Sequence, residues 1–471
     1  MKTTAVTLLL LAALVAGPPG EWTRVTAPTG RNVDEPAVAR TADGLLHLVA
    51  LKRGTDPGVV GLVHYAIDAA GRPVGEPTSV LEDWRSLSNP ALLVDGDSLR
   101  VLVSGIRGSA GGDPFAGGIY TLTAPLDGSS WALQDASVTR SRNTGAPGAT
   151  KGADGTIVVT WATSSGLFFH AGVAGAGDDV PIVTGACCTY EPAAATDAGT
   201  GEVVVGWYAN IRGAHGLSTA TLAAGAAAPQ FAPGSASPDR TNSLTLSQRF
   251  ALGARAGAPG VYAAYCAGYP TCEEIRLWRH GASDALTVAR PQRARVVGIA
   301  PGPEGRLWIL WHEGERLRAT RTNRAATRVG PVASVAPPVG SQTVWKVGGD
   351  GAKGPVDLLA SVATAEGIAV WHTQVLPILT LTATPTSVTS GDNARVTFTV
   401  TDAGDPMPGA TVEVRGQRLT TDAAGRATLS LPATTPAGTI TAQAAAAGYT
   451  GASARVTVRP PPPPARQPGA R

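Results

Sequence analysis

The sequence predicts an all-β chain: a β-propeller of seven four-stranded blades, with six as the alternative, then a small β-sandwich and a proline-rich tail. Three observations predict it. Gly 58 and Pro 37 among 471 residues are too many for a helical protein and supply the punctuation that many short strands require. One pattern recurs at intervals of roughly 45 to 60 residues: an apolar run, a Gly/Asp turn, then a second alternating apolar run. From Ile378 onward the pattern changes to short Thr/Val alternation. With 43% hydrophobic and 15% charged residues the chain can bury a large core, which excludes disorder of the whole.

Residues 1–20 read as a signal peptide: Lys2, an apolar run from Val6 to Val15, then small residues and prolines from Ala16 to Gly20. That run is roughly ten residues, whereas a spanning helix needs about 20. No Cys follows it for a lipid anchor, and no later segment is apolar enough to span a membrane. Secretion after cleavage is expected. The absence of any Asn-x-Ser/Thr sequon and an Arg-, Ala- and Gly-rich composition point to a bacterial source. Lys+Arg 38 against Asp+Glu 35 gives a net charge of only +3, with no clustered basic block, so nucleic acid is not an expected partner. A monomer is expected.

The propeller covers residues 22–376. Its seven hairpin instances lie at 37–53, 91–105, 148–163, 193–210, 251–268, 298–314 and 346–364. Several carry Asp-Gly (Asp43-Gly44, Asp95-Gly96, Asp154-Gly155), which tolerates the positive φ of a tight hairpin. A third strand follows most hairpins, and a weaker fourth follows that. The last repeat has only three strands before Pro377, while an unpaired strand, Trp22 to Ala27, precedes the first. If that strand supplies the missing outer one, the ring closes with no open sheet edge, which favours seven blades over six.

This stretch resembles the sialidase-like and bacterial-neuraminidase-repeat propellers. The likeness lies in the repeat. The family's Arg-Ile-Pro is absent, and the run Asp127, Gly128, Ser129, Ser130, Trp131 is one residue short of its Asp-box. Sialidase activity is therefore not implied.

Residues 377–459 resemble bacterial immunoglobulin-like domains, which implies a spacer or adhesive unit; the stretch has no His, Cys or Trp. Residues 460–471 form a disordered, polyproline-like tail.

In a propeller the first strand of each blade lines the channel, and the loops before it share one face with those between the second and third strands. Ligand sites lie over the channel mouth on that face. The residues expected there are Asp34, Glu35, Asn89, Arg142, Tyr190, Glu191, Gln248, Arg249, Arg295 and Trp345. The loops between second and third strands add Lys52, Arg107, Glu274, His312 and Glu313. Arg forks, carboxylates, amides and an aromatic plate suit a carbohydrate or cell-envelope polymer. The alternative is a glycan-cleaving enzyme, a sialidase-like hydrolase or a polysaccharide lyase, in which Glu191, Tyr190 and Glu35 act, with Tyr190 as nucleophile beside Glu191. An ion pair between Glu191 and Arg249 is the more ordinary role for that glutamate. A third reading is a protein-interaction scaffold.

The four cysteines, Cys187, Cys188, Cys266 and Cys272, all fall on the mouth face. Three pairings are open. The simplest joins Cys266 to Cys272 and Cys187 to Cys188; cross-links between the two loops are the next, and a four-thiolate zinc site is the rival. The scattered histidines show no ligand spacing, so neither a metal nor a cofactor is expected.

Overall fold

The computed structural model describes residues 20–28, 36–53, 59–108, 117–142, 144–174, 178–184, 189–209, 216–222, 230–235, 249–268 and 272–462. Among them, the chain from Thr23 to Val375 forms seven antiparallel sheets, each of four or five strands. The first strands are Ala37–Arg40, Ala91–Asp95, Gly148–Lys151, Thr189–Thr196, Leu252–Ala254, Ala294–Pro301 and Thr343–Asp350. Each packs against the next, and the first packs against the seventh. Residues from all seven line one central cavity of about 220 Å³. The architecture is that of an all-β propeller.

Local chemistry explains the strands. In the second sheet the inner strand alternates poorly because it is covered on both faces, and it turns back through Gly96 at φ +64°, a conformation that favours glycine. Asp95 then pairs with Ser98 across the shortest hairpin loop. Close packing selects glycine in the sixth inner strand, where a Cβ on Gly298 would stand 2.7 Å from the Val347 carbonyl of the neighbouring inner strand.

The core lies between sheets. Every gap has its own apolar cluster, including one that joins Leu46, Leu48 and Ile67 of the first sheet to Leu359 and Val370 of the seventh. Trp161, Trp207, Trp308 and Trp311 are fully buried in these clusters, so they pack and do not serve as ligand platforms.

The seventh sheet is completed from the other end of the chain. Thr23 and Arg24 pair with His372 and Trp371. The strand expected over Trp22 to Ala27 shortens to these two residues, with Val25 continuing the bonding to Val370 at 2.9 Å. Buried charge adds to the closure at the end opposite the mouth: Arg40, at the end of the first inner strand, pairs with Asp350 at 2.5 Å and with Asp357, both in the seventh sheet.

Residues 380–459 form two further sheets packed face to face. One contains Thr380–Thr384, Ala394–Asp402 and Arg426–Leu431; the other contains Ser387–Thr389, Thr411–Val414, Gln417–Thr420, Gly438–Ala445 and Ala452–Arg459. Leu381, Val396, Phe398, Val412 and Val456 point inward, while the alternate threonines and arginines face out. This sandwich docks on the rear of the sixth propeller sheet through Arg306 and Arg321, which meet Asp402 and Asp405.

Candidate functional site at the channel mouth

The seven inner strands begin at one end of the cavity, and in five of the sheets the hydrogen-bond ladder is interrupted there. In the sixth sheet Ala294 pairs with Glu313 but Val296 with His312, leaving Arg295 as an extra residue. In the seventh, Val344 pairs with Val362 and Lys346 with Ser361, leaving Trp345 extra. The fourth shifts between Tyr190 and Ala193. The second shifts between Leu87, paired with Gly105, and Ala91, paired with Leu102. In the third, Gly145 donates to the Ala162 carbonyl while Gly148 pairs with Thr160. Each interruption is a β-bulge, which bends the strand and re-aims a side chain.

The sequence reason is visible in three of them. Pro90, Pro147 and Pro192 sit within the bulges of the second, third and fourth sheets. A prolyl nitrogen cannot donate to the ladder, so within a sheet it is tolerated where the ladder lapses.

The bulges place Asn89, Arg295 and Trp345 at the mouth. Asn89 is buried, Arg295 is exposed, and Trp345 is 44% exposed, unusually so for its size. Arg142 is also exposed. Arg249 reaches furthest inward: it lines the cavity, and its Nη2 donates to the carbonyls of Pro90 at 2.8 Å and Pro147 at 3.2 Å on the opposite side of the ring. Through Nη2, Arg249 thus binds protein carbonyls at the place where a ligand contact or an ion pair with Glu191 is expected.

Asp34, Glu35, Gln248, Cys187 and Cys188 lie outside the described residues. The backbone of Tyr190 and Glu191 belongs to the strand Thr189–Thr196, and their side chains lie outside the described residues.

The loops between second and third strands behave differently from expectation. Lys52 bonds Ser79 and Glu82 of its own outer strand. Arg107 lies over the rings of Trp84 and Tyr120 and bonds the Gln134 and Asp135 carbonyls. Glu274 pairs with Arg276 and Arg290, and Glu313 accepts from Trp311 and the Gln292 amide. Each of the four is thus engaged by partners within the protein. His312 remains at the mouth end, buried opposite the Arg295 bulge; burial and then the Arg295 charge depress its proton affinity, so it is neutral near pH 7.

Lys346 was missed in sequence. It is buried beside Ser361, because the Trp345 bulge inverts the facing of the residues around it. A lysine opening a run of Val and Gly was the available signal.

Cys266 and Cys272 are joined to each other, with a Cα–Cα distance of 5.2 Å, closing the loop between the second and third strands of the fifth sheet. This pairing removes the four-thiolate zinc site and the cross-linked alternatives. Among the described residues no cluster of three or more His, Cys, Asp or Glu is placed to hold a metal, and no helix is long and apolar enough to cross a membrane.

No protein-family model and no curated protein matches the chain. Solved structures similar to it include a polysaccharide lyase at 11% identity, with a TM-score of 0.46 over 74% of this chain and 91% of that one. A Trypanosoma rangeli sialidase is similar at 10% identity, with a TM-score of 0.35 over 74% of this chain and 55% of that one. A Penicillium chrysogenum alpha-L-arabinanase complexed with arabinobiose is similar at 11% identity, with a TM-score of 0.39 over 75% of this chain and 97% of that one.

Proposed function

We propose that this is an exported carbohydrate-binding protein that engages a glycan or cell-envelope polymer at the channel mouth. The observation that carries the reading is the pair of bulges that set an exposed tryptophan, Trp345, and an exposed arginine, Arg295, at the mouth ends of adjacent inner strands. A flat indole covers the apolar face of a sugar ring, and a guanidinium fork donates to its hydroxyl or carboxylate oxygens.

In this reading the chain is a signal peptide over residues 1–20, a seven-bladed propeller over 22–376, an immunoglobulin-like domain over 377–459 and a tail over 460–471. The Cys266–Cys272 bond supports an oxidising, extracellular destination. The buried contacts between Asp402 and the sixth sheet support a rigid mount in place of a loose spacer. Docking at the rear of that sheet keeps the sandwich away from the mouth.

A glycan array followed by titration calorimetry on the polymers that bind is the test. Trp345→Ala and Arg295→Ala should each weaken binding at least about tenfold, the loss of one well-made contact. Binding that both variants retain in full would place the ligand elsewhere. Incubating the same polymers with the protein and measuring new reducing ends or unsaturated products tests the glycan-cleaving alternative built on Glu191, Tyr190 and Glu35.

A further inference from the structure

The cavity inside the propeller is lined by small or apolar residues such as Ala37, Ala149, Ala194 and Gly348, and Arg249 is the one charged residue among the described residues lining it. Arg249 lies just before the inner strand of the fifth sheet, while the two carbonyls it bonds lie just before those of the second and third, across the bore. An Nη2 carries two N–H groups, and here they are directed at two acceptors. Both acceptors are carbonyls of prolines in bulges, where the regular ladder has lapsed.

We propose that Arg249 is a positioning residue that spans the bore and forms the floor of the mouth. The mouth is then a blind pocket: a polymer lies across it, over Arg249 and against Trp345 and Arg295, and does not thread the propeller. The same guanidinium holds the bulges of the second and third sheets at a fixed spacing, and with them Asn89. The part concerning the polymer rests on the carbohydrate reading above; the closed floor does not.

The test of the floor therefore uses no glycan. In the full chain, Ala149→Cys places a thiol in the cavity beneath the floor and Trp345→Cys places one above it. Each variant is treated with N-ethylmaleimide, and modification at that position is read by peptide mass spectrometry. Cys at 149 should react at least tenfold more slowly than Cys at 345. Equal rates would overturn the proposal, and this comparison leaves Arg249 intact, so it does not depend on any Arg249 variant folding. Adding Arg249→Gln or Arg249→Met to Ala149→Cys should then raise the rate at position 149 at least tenfold. Amide exchange in Arg249→Gln should quicken at residues 88–92 and 144–149 and stay unchanged at 294–298. An unchanged rate at 149, or exchange that quickens equally in all three segments, would overturn the positioning role. Loss of glycan binding in Trp345→Ala with a protected thiol at 149 supports both conclusions, whereas a protected thiol with no glycan bound overturns the carbohydrate reading alone.

Discussion

Arg321, the last residue of the third strand in the sixth propeller sheet, donates from Nη2 to Asp402 Oδ2 at 2.5 Å, with both side chains 3% exposed. Asp402 ends a strand of the sandwich, so the bond crosses from one group of sheets to the other. Arg306 approaches the same carboxylate oxygen at 3.2 Å and Tyr449 donates to it at 3.3 Å. One buried anion thus faces two buried guanidinium groups. Asp405 takes a further bond from Arg306 at 2.7 Å.

Replacing that anion by its neutral isostere should be costly. Asp402→Asn leaves two guanidinium groups buried with one charge fewer to meet them, and removal of one partner from such an arrangement costs about 3–5 kcal/mol. Urea denaturation of the wild type should show the sandwich and propeller unfolding together; in Asp402→Asn the sandwich signal should separate to lower urea. A single transition at an unchanged midpoint would contradict the coupling.

The fold was legible in sequence wherever local rules decide it. The Asp-Gly turns and the Thr/Val alternation act within a few residues and show as turns and strands, and the repeat restates such local patterns once per sheet. The mouth was legible only in part. Trp345 and Arg295 lie where alignment of the repeats puts them, at the start of the inner strands. The burial of Lys346 and the reach of Arg249 both depend on bulges: the one at Trp345 reverses which way Lys346 faces, and those of the second and third sheets free the carbonyls that Arg249 meets from across the ring. Neither effect is periodic. The pairing of Arg321 with Asp402 was invisible for a different reason, since its partners are 81 residues apart and no repeat relates them.

Ring closure should depend more on Arg40 than on the short N-terminal strand. Arg40 meets Asp350 and Asp357 with its own side chain only 7% exposed, whereas the N-terminal strand pairs two residues. Arg40→Met takes the guanidinium from two buried carboxylates, leaving Asp357 its His372 contact at 2.9 Å, and should destabilise the propeller by about 3–5 kcal/mol. Thermal unfolding would show a larger fall in Tm for Arg40→Met than for Thr26→Val, which removes only the hydroxyl that accepts from the Val370 amide at 3.0 Å. The reverse order would show that the terminal strand dominates.

The disulfide should contribute modestly. Cys266 and Cys272 are separated by six positions, and closing so short a loop restricts the unfolded chain by about 2 kcal/mol. Cys266→Ser with Cys272→Ser should lower Tm by a few degrees while retaining the native near-ultraviolet circular dichroism. A loss of folding would mean that the bond organises the fifth sheet and does not merely restrain one loop.

Acid should loosen the first sheet through a pair of stacked histidines. Thr41 Oγ1 donates to Asp43 at 2.6 Å, so its 3.1 Å contact with His47 Nε2 makes that nitrogen the donor; His47 Nδ1 then accepts from His64 Nε2 at 2.9 Å. A proton added to His47 removes the acceptor in this chain, and one added to His64 places a charge in a buried site against the other ring. Burial, and then the neighbouring His47, lowers His64 from 6.5 to about 4, against a weaker opposing pull from Asp127. Burial lowers His47 as well, with Asp43 and Asp127 opposing. Between pH 6.5 and pH 4 the unfolded imidazole of His64 therefore binds a proton that the folded one refuses, and stability falls as pH falls through that window. The loss attributable to His64 should approach about 2 kcal/mol once residual solvent access is allowed for. His64→Leu removes this proton uptake and should flatten the decline between pH 7 and pH 4.5 relative to the wild type, measured by urea denaturation at each pH. Parallel curves for the two proteins would show that the acid sensitivity arises at other groups.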